Sequence, residues 1–230
     1  MTGYSVKLEV VAIAGVANLN IRSLLDRQQY CDPDGEAAAE GISSASWPLF
    51  GMVWPSGLHL AAAIARRPIA AAERILEVGC GLALASLVGH RRGAQVTASD
   101  CHPLTQRFLL ENVALNALPP LPYCHGNWDA LPGTRAPSAH GDCVLGTFDL
   151  IMGSDVLYER DEAGSLPHFI SAHATRVGEV MIVDPNRGNR APFHRRMAAL
   201  GYELRETPIR DPLGPGGPYS GRMLHYYRRG

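Results

Sequence analysis

The chain has 230 residues, of which 46% are apolar and 19% charged, a balance that excludes wholesale disorder and fibrous architectures. A chain of this size can bury a sizeable core without metal or disulfide staples. Lys plus Arg number 21 and Asp plus Glu 22, and the resulting net charge of -1 argues against a dedicated nucleic-acid or acidic-membrane binder.

In chain order, Val6–Val11 and Ala17–Ile21 alternate in polarity around Ala14-Gly15 and read as a β-hairpin. The apolar run Val10–Ala14 could pass for the core of a leader peptide, but Val6, Leu8 and Val10 alternate with Lys7 and Glu9 as a strand does. Tyr30–Ser46 reads as loop, Ser46–Gly57 as an irregular aromatic segment, and Leu58–Arg67 as a helix ending before Pro68. From Glu73 the pattern becomes strand, glycine turn, helix, repeated. Arg74–Val78 is a strand, Gly79-Cys80-Gly81 a turn, Leu82–Arg91 a helix, and Gln95–Ser99 a strand ending at Asp100. Pro103–Leu118 is a helix with Phe108, Leu109, Val113 and Leu115 mainly on one face. A weak strand follows at Leu121–His125, then a Pro/Gly/Ser-rich surface loop over 130–147 and an apolar strand at Phe148–Gly153. Asp161–Arg176 reads as helix despite Pro167, Glu179–Val183 as strand, and Ala191–Leu200 as helix closed by Gly201. Tyr202–Arg210 and Arg222–Arg228 form a terminal hairpin.

This alternation predicts an α/β fold: a Rossmann-like, mostly parallel sheet with helices on both faces. Two units are expected, a hairpin-and-loop extension over 1–50 and the main domain over 51–230. The odd set Cys31, Cys80, Cys101, Cys124 and Cys143 contains no CxxC pair, which points to reduced thiols in a cytoplasmic protein. Neither these nor the nine histidines show metal-ligand spacing, and no apolar run approaches the length of a membrane helix.

Ligands of such sheets bind at the carboxyl ends of the strands. After Val78, Gly79 and Gly81 let the backbone turn tightly and approach a ligand. A dinucleotide fingerprint wants Gly or Ala where Leu84 stands, so nicotinamide binding is disfavoured. Glu77, one residue before the strand's end, suits a ligand bearing an ammonium. Asp100, 19 residues after Gly81, can accept hydrogen bonds from both ribose hydroxyls, or can cap the helix that follows. Ser154-Asp155-Val156-Leu157-Tyr158 brings a carboxylate and a phenol to the cleft mouth, or a helix cap and a half-buried Tyr. Cys80 reads as packed rather than reactive, His59 as a packed or surface residue, and Trp47 and Phe50 as core of the N-terminal cover, the alternative being that they line the substrate entrance.

Taken together, Trp54-Pro55-Ser56-Gly57, Leu76-Glu77-Val78-Gly79-Cys80-Gly81, Val96-Thr97-Ala98-Ser99-Asp100, Gly126-Asn127-Trp128 and Asp155-Val156-Leu157-Tyr158 resemble the seven-strand S-adenosylmethionine-dependent methyltransferases. Within that class the chain is similar to the methyltransferase-16 family, which includes protein-lysine methyltransferases. The likeness covers about residues 45–205. Two departures stand out: Ala83 where members carry a third glycine, and Ser154 where they often carry Ala. The resemblance implies a seven-stranded sheet with S-adenosyl-L-methionine as cofactor. Gly79, Cys80 and Gly81 would approach the methionine moiety and Glu77 would hold its ammonium. Asp100 would take the ribose and Trp128 flank the adenine, while Trp54 and Ser154 line the pocket. Asp155 and Tyr158 would face the methyl group and substrate. Asp184-Pro185-Asn186-Arg187 resembles the Asp-Pro-x-Arg of a lysine methyltransferase branch acting on an electron-transfer flavoprotein; read from the residues, Arg187 is as much a solvated charge as a substrate contact. The expected activity is N-methylation of a protein lysine, with a protein substrate and neither nucleic acid, membrane nor metal. The alternatives are a small-molecule N- or O-methyltransferase and a catalytically silent cofactor-binding module.

Overall fold

The computed structural model describes residues 3–128, 144–158, 161–214 and 217–228. A two-stranded antiparallel hairpin, β1 (Val6–Val11) and β2 (Leu19–Leu24), comes first. A short helix α1 (Glu36–Ala39), a 3-10 turn (Trp47–Gly51) and helix α2 (Pro55–Arg66) follow. Then come β3 (Arg74–Val78), α3 (Leu84–Arg91), β4 (Gln95–Asp100), α4 (Thr105–Leu115) and β5 (Tyr123–His125). The remainder is β6 (Phe148–Ser154), α5 (Ser165–His173), β7 (Ala174–Asp184), α6 (Arg190–Ala199), β8 (Glu203–Asp211) and β9 (Tyr219–Tyr227). The large sheet has the order β5-β4-β3-β6-β7-β9-β8, parallel except for β9, which runs against both its neighbours. This is the expected mostly parallel seven-stranded sheet with its terminal hairpin.

Strand alternation divides the interior into two cores. On one face Ile75, Val96, Ala98, Leu150 and Met152 pack with Leu60 and Ile64 of α2, Leu87 of α3 and Phe108 and Leu109 of α4. On the other, Leu76, Val78 and Ile151 pack with Leu166 and Ile170 of α5 and Phe193 and Met197 of α6. The N-terminal segment joins the first core: Leu19, Ile21, Leu24 and Trp47 are almost wholly buried there.

Two asparagines dock the hairpin. Asn112 Oδ1 accepts the Arg22 N–H at 2.7 Å while its Nδ2 donates to the Arg22 carbonyl at 3.3 Å. Asn116 does the same for Asn20, at 3.0 and 2.8 Å. One helical turn of α4 rises about as far as two strand residues advance, so the two amides close the outer edge of β2 as a neighbouring strand would.

Several boundaries depart from expectation for identifiable reasons. Helix α2 begins at Pro55, a residue suited to a first turn, rather than at Leu58. Strand β2 runs three residues beyond Ile21, to Leu24. Helix α4 is shorter than predicted at both ends, and Leu115 is exposed rather than on the buried face. Helix α5 stops at His173, and Ala174–Arg176 belong to the eleven-residue β7. In β1 the apolar side chains of Val6, Leu8 and Val10 face outward; the inward face is that of Lys7, Glu9 and Val11, which pair with Ser23, Ile21 and Leu19. The predicted loop over 130–147 lies largely outside the described residues.

Candidate active site

Parallel strands bring their carboxyl ends to one rim. The chain runs from β3 outward to β4 and β5, then returns to β6 and β7 on the other side of β3, so a crevice opens where the order reverses. A cavity of about 570 Å³ occupies it. All ten predicted site residues line this cavity: Trp54, Glu77, Gly79, Cys80, Gly81, Asp100, Trp128, Ser154, Asp155 and Tyr158.

The floor is the turn after β3. Gly79 and Gly81 have φ of 56° and 50°, in the left-handed region where side chains are strained. A Cβ on Gly79 would lie 2.8 Å from Val156 and 3.4 Å from the Trp128 ring; one on Gly81 would lie 2.8 Å from the Phe50 carbonyl oxygen. Ala83 is also left-handed, at φ 56°, which explains the glycine preferred there by the class it resembles.

Asp100 ends β4 beneath this turn. Its Oδ2 accepts the Gly81 N–H and its Oδ1 the His102 N–H, both at 2.9 Å, and burial pushes its acidity toward a higher pKa. The carboxylate thus braces the glycine turn and begins the next segment, with lone pairs remaining for hydroxyl donors. It does not cap α4, whose first residue is Thr105.

Glu77 is buried at 2% exposure. Its Oε2 accepts the Ser86 N–H at 2.8 Å and the Ser86 hydroxyl at 2.5 Å, so a strand carboxylate caps the N-terminal turn of α3. Burial raises its pKa to about 7, with the Asp100 charge adding to the rise and the Ser86 bonds opposing it. Cys80 is buried and its thiol is pushed well above the ordinary range, which agrees with a packed rather than reactive side chain.

At the mouth, Asp155 occupies a left-handed conformation at φ 55° and its N–H donates to the Val183 carbonyl at 2.9 Å. Arg187 Nε and Nη2 donate to its two carboxylate oxygens at 2.6 and 3.1 Å. This fork-to-fork pair joins the end of β6 to the segment after β7 and raises the Arg187 pKa. The resemblance placed Asp155 near the substrate, while Arg187 was open between a substrate contact and a solvated charge; their pairing was not legible in the sequence. Trp54 is held by its indole N–H, which donates to the Leu49 carbonyl at 2.8 Å. Trp128 stands against Gly79 and Val156, in a wall shared with a second cavity of about 790 Å³ lined by Leu157, Pro192 and Phe193. Among its described lining residues that cavity has no member of the glycine turn.

Of one wall, the sequence points only to Phe50, as an alternative to core. Arg27, Glu40, Ile42, Leu49, Phe50 and Met52, all from the N-terminal segment and the turn after it, line the crevice. Glu40 Oε2 lies 3.3 Å from His125 Nε2 and accepts from Asn127 Nδ2 at 3.2 Å, which ties this wall to the end of β5. The His102 ring stacks on Phe50 at 3.7 Å and 16°. Trp47 and Phe50 are core as expected, although Phe50 also reaches the cavity. Among the described residues, no cluster of three or more His, Cys, Asp or Glu side chains could hold a metal, and no helix is long and apolar enough to cross a membrane.

No family model and no curated protein sequence matches the chain. Solved structures do. A methyltransferase from Pyrococcus furiosus is 19% identical, with a TM-score of 0.57 over 76% of this chain and 83% of that one. A glycopeptide N-methyltransferase complexed with S-adenosylmethionine is 13% identical, with a TM-score of 0.57 over 74% and 86%. The magnesium protoporphyrin IX methyltransferase of Synechocystis PCC 6803, with bound S-adenosylhomocysteine, is 16% identical, with a TM-score of 0.53 over 76% and 84%. At such identities the likeness carries architecture alone, a fold that this chain shares with these methyltransferases.

Proposed function

We propose that the chain transfers a methyl group from S-adenosylmethionine to an amine nitrogen, that of a protein lysine. The observation that carries the reading is the single crevice uniting a glycine cradle, a ribose-competent carboxylate and an acid–phenol pair. The residues fit the cofactor. A Cβ at Gly79 would collide with Val156 and one at Gly81 with the Phe50 carbonyl, so glycine is what lets the left-handed backbone hold this turn against the crevice. Asp100 offers lone pairs to vicinal hydroxyls, and Glu77 is a buried carboxylate whose raised pKa an ammonium would reverse.

Bound there, the cofactor supplies an electrophilic sulfonium methyl. The chain's task is then geometric: to hold donor and acceptor in line and keep water out. Asp155 orients the incoming ammonium through lone pairs that Arg187 leaves unused. Trp54 lines the cofactor's side of the crevice and Tyr158 borders the acceptor's path; the amine loses its proton to solvent before it is enclosed. No residue need act as a strong base.

Calorimetric titration tests this directly. S-adenosylmethionine and S-adenosylhomocysteine should bind and raise the melting temperature, and NAD should do neither. No heat and no stabilisation with either sulfur compound would overturn the reading. Incubating a proteome with enzyme and labelled cofactor, followed by mass spectrometry, then reads the acceptor: labelled lysines support the protein substrate, and label confined to metabolites refutes it.

Glu77 adds a pH signature. Its folded pKa of about 7 lies above the ordinary 4.5, so its protonated form is the one the empty fold prefers. Stability from this group is fully present below the ordinary pKa and is lost as pH rises toward about 7. An ammonium beside it favours the carboxylate, so cofactor binding below about 7 should release a proton and strengthen with pH by up to about tenfold per unit. Titrations in buffers of different ionisation enthalpy measure that proton. Glu77→Gln should abolish the release; a wild-type protein that binds without proton release would show that Glu77 serves only to cap α3.

A further inference from the structure

We infer that the outer edge of β1 is a self-association surface, at which a second copy of the chain adds its own β1 in antiparallel register centred on Leu8. The inference does not depend on the methyltransferase reading.

Among the described residues β1 pairs with β2 alone. Its hydrogen-bond phase follows from one bond: the Leu25 N–H donates to the Ser5 carbonyl at 3.0 Å, across the pair that continues the β1–β2 register. Inward and outward groups alternate along an antiparallel strand. Lys7, Glu9 and Val11 therefore bond to β2, and the backbone N–H and C=O groups of Val6, Leu8 and Val10 point to the open edge. The two edges of the hairpin are treated differently. That of β2 is closed by Asn112 and Asn116, whereas that of β1 carries no such cover among the described residues. Protected edges usually bear a proline, a bulge or an unpaired lysine. Strand β1 has no proline and a regular register, and its lysine is neutralised by Glu9 at 3.2 Å. Val6, Leu8 and Val10 are 39%, 69% and 67% exposed along this strand.

The sequence Val6-Lys7-Leu8-Glu9-Val10 selects the occupant. A two-fold axis through Leu8 sets Leu8 against Leu8, Val6 against Val10 of the second copy, and Lys7 against Glu9 twice over. Leu8 is an outward-pointing residue, so the axis also meets the required hydrogen-bond phase. Axes through Lys7 or Glu9 would oppose like charges and violate the phase, and a parallel arrangement would align lysine with lysine. The result is a four-stranded sheet with one β2 at each end, both already closed.

Sedimentation and light scattering from micromolar to several hundred micromolar protein test it. The wild-type chain should dimerise. Lys7→Glu alone and Glu9→Lys alone should each be monomeric, and their equimolar mixture should recover the dimer, since the two variants restore both ion pairs across the axis. Leu8→Pro deletes an outward N–H while sparing every β1–β2 bond and should lose the dimer with its circular dichroism preserved. A wild-type chain that stays monomeric overturns the proposal and leaves the edge to a different partner. A mixture that stays monomeric, or a dimer indifferent to Leu8→Pro, overturns the register and the edge respectively. Loss of folding in Glu9→Lys, which also removes the acceptor of the Ser23 hydroxyl, leaves Lys7→Glu and Leu8→Pro to decide.

Discussion

Gly81→Ala is expected to lose measurable cofactor binding and to cost about 2–5 kcal/mol of stability. A left-handed conformation costs an L-residue about 1–2 kcal/mol. Overpacking adds about 1–3 kcal/mol, and here the new methyl would sit 2.8 Å from the Phe50 carbonyl oxygen, a backbone atom that cannot swing away. Relief would move either the Trp47–Gly51 turn, anchored by buried Trp47, or the glycine turn itself. The second route breaks the bond from the Gly81 N–H to Asp100 and so displaces the carboxylate intended for the ribose. Gly93 supplies the control: it too is left-handed, at φ 87°, but a Cβ there meets nothing within 4 Å. Gly93→Ala should therefore cost only the conformational share and bind cofactor normally. Thermal unfolding and calorimetric titration of the two variants measure the contrast. A Gly81→Ala protein binding as tightly as wild type would mean that the turn is not the cofactor cradle.

Asp155→Asn should reduce turnover by about 100-fold while leaving cofactor affinity nearly unchanged, because positioning of the acceptor is what is lost. The substitution is clean in the backbone, since Asn tolerates the left-handed conformation that Asp155 adopts at φ 55°. It removes the charge that draws an ammonium, and it releases Arg187 from its two-bond pairing. Tyr158→Phe should act in the same direction and less severely, as the ring remains and one hydroxyl goes. Steady-state kinetics on the acceptor and titration of cofactor separate the effects. Loss of cofactor binding with normal turnover by the bound fraction would assign Asp155 to the cofactor. Full activity in both variants would make the pair structural.

Where the chain is punctuated, its fold was readable. Arg74–Val78, Gln95–Asp100 and Phe148–Ser154 are apolar runs stopped by glycine or acid, and each was placed to within one residue. The boundary between α5 and β7 has no breaker: Ala174-Thr175-Arg176 continues the helical composition, and only pairing of Ala174 with Phe148 makes it strand. Site residues at the strand ends were legible because the rim of a parallel sheet is local in sequence. The N-terminal wall was not. Glu40 meets Asn127 across 87 residues and Arg187 meets Asp155 across 32, and neither segment carries a motif that announces its partner.

The asparagine clasp on β2 has a kinetic corollary. Its bonds join residues 90 and 96 positions apart, so a long loop must close before any of them forms. An isolated two-stranded hairpin is marginal in water, and this one gains its hold from an α4 that must already be in place. The hairpin is thus expected to be among the last parts of the fold to settle. In the native protein the hairpin is expected to open as its own cooperative unit, and hydrogen exchange should find its amides exchanging ahead of those in β3, β4 and β6.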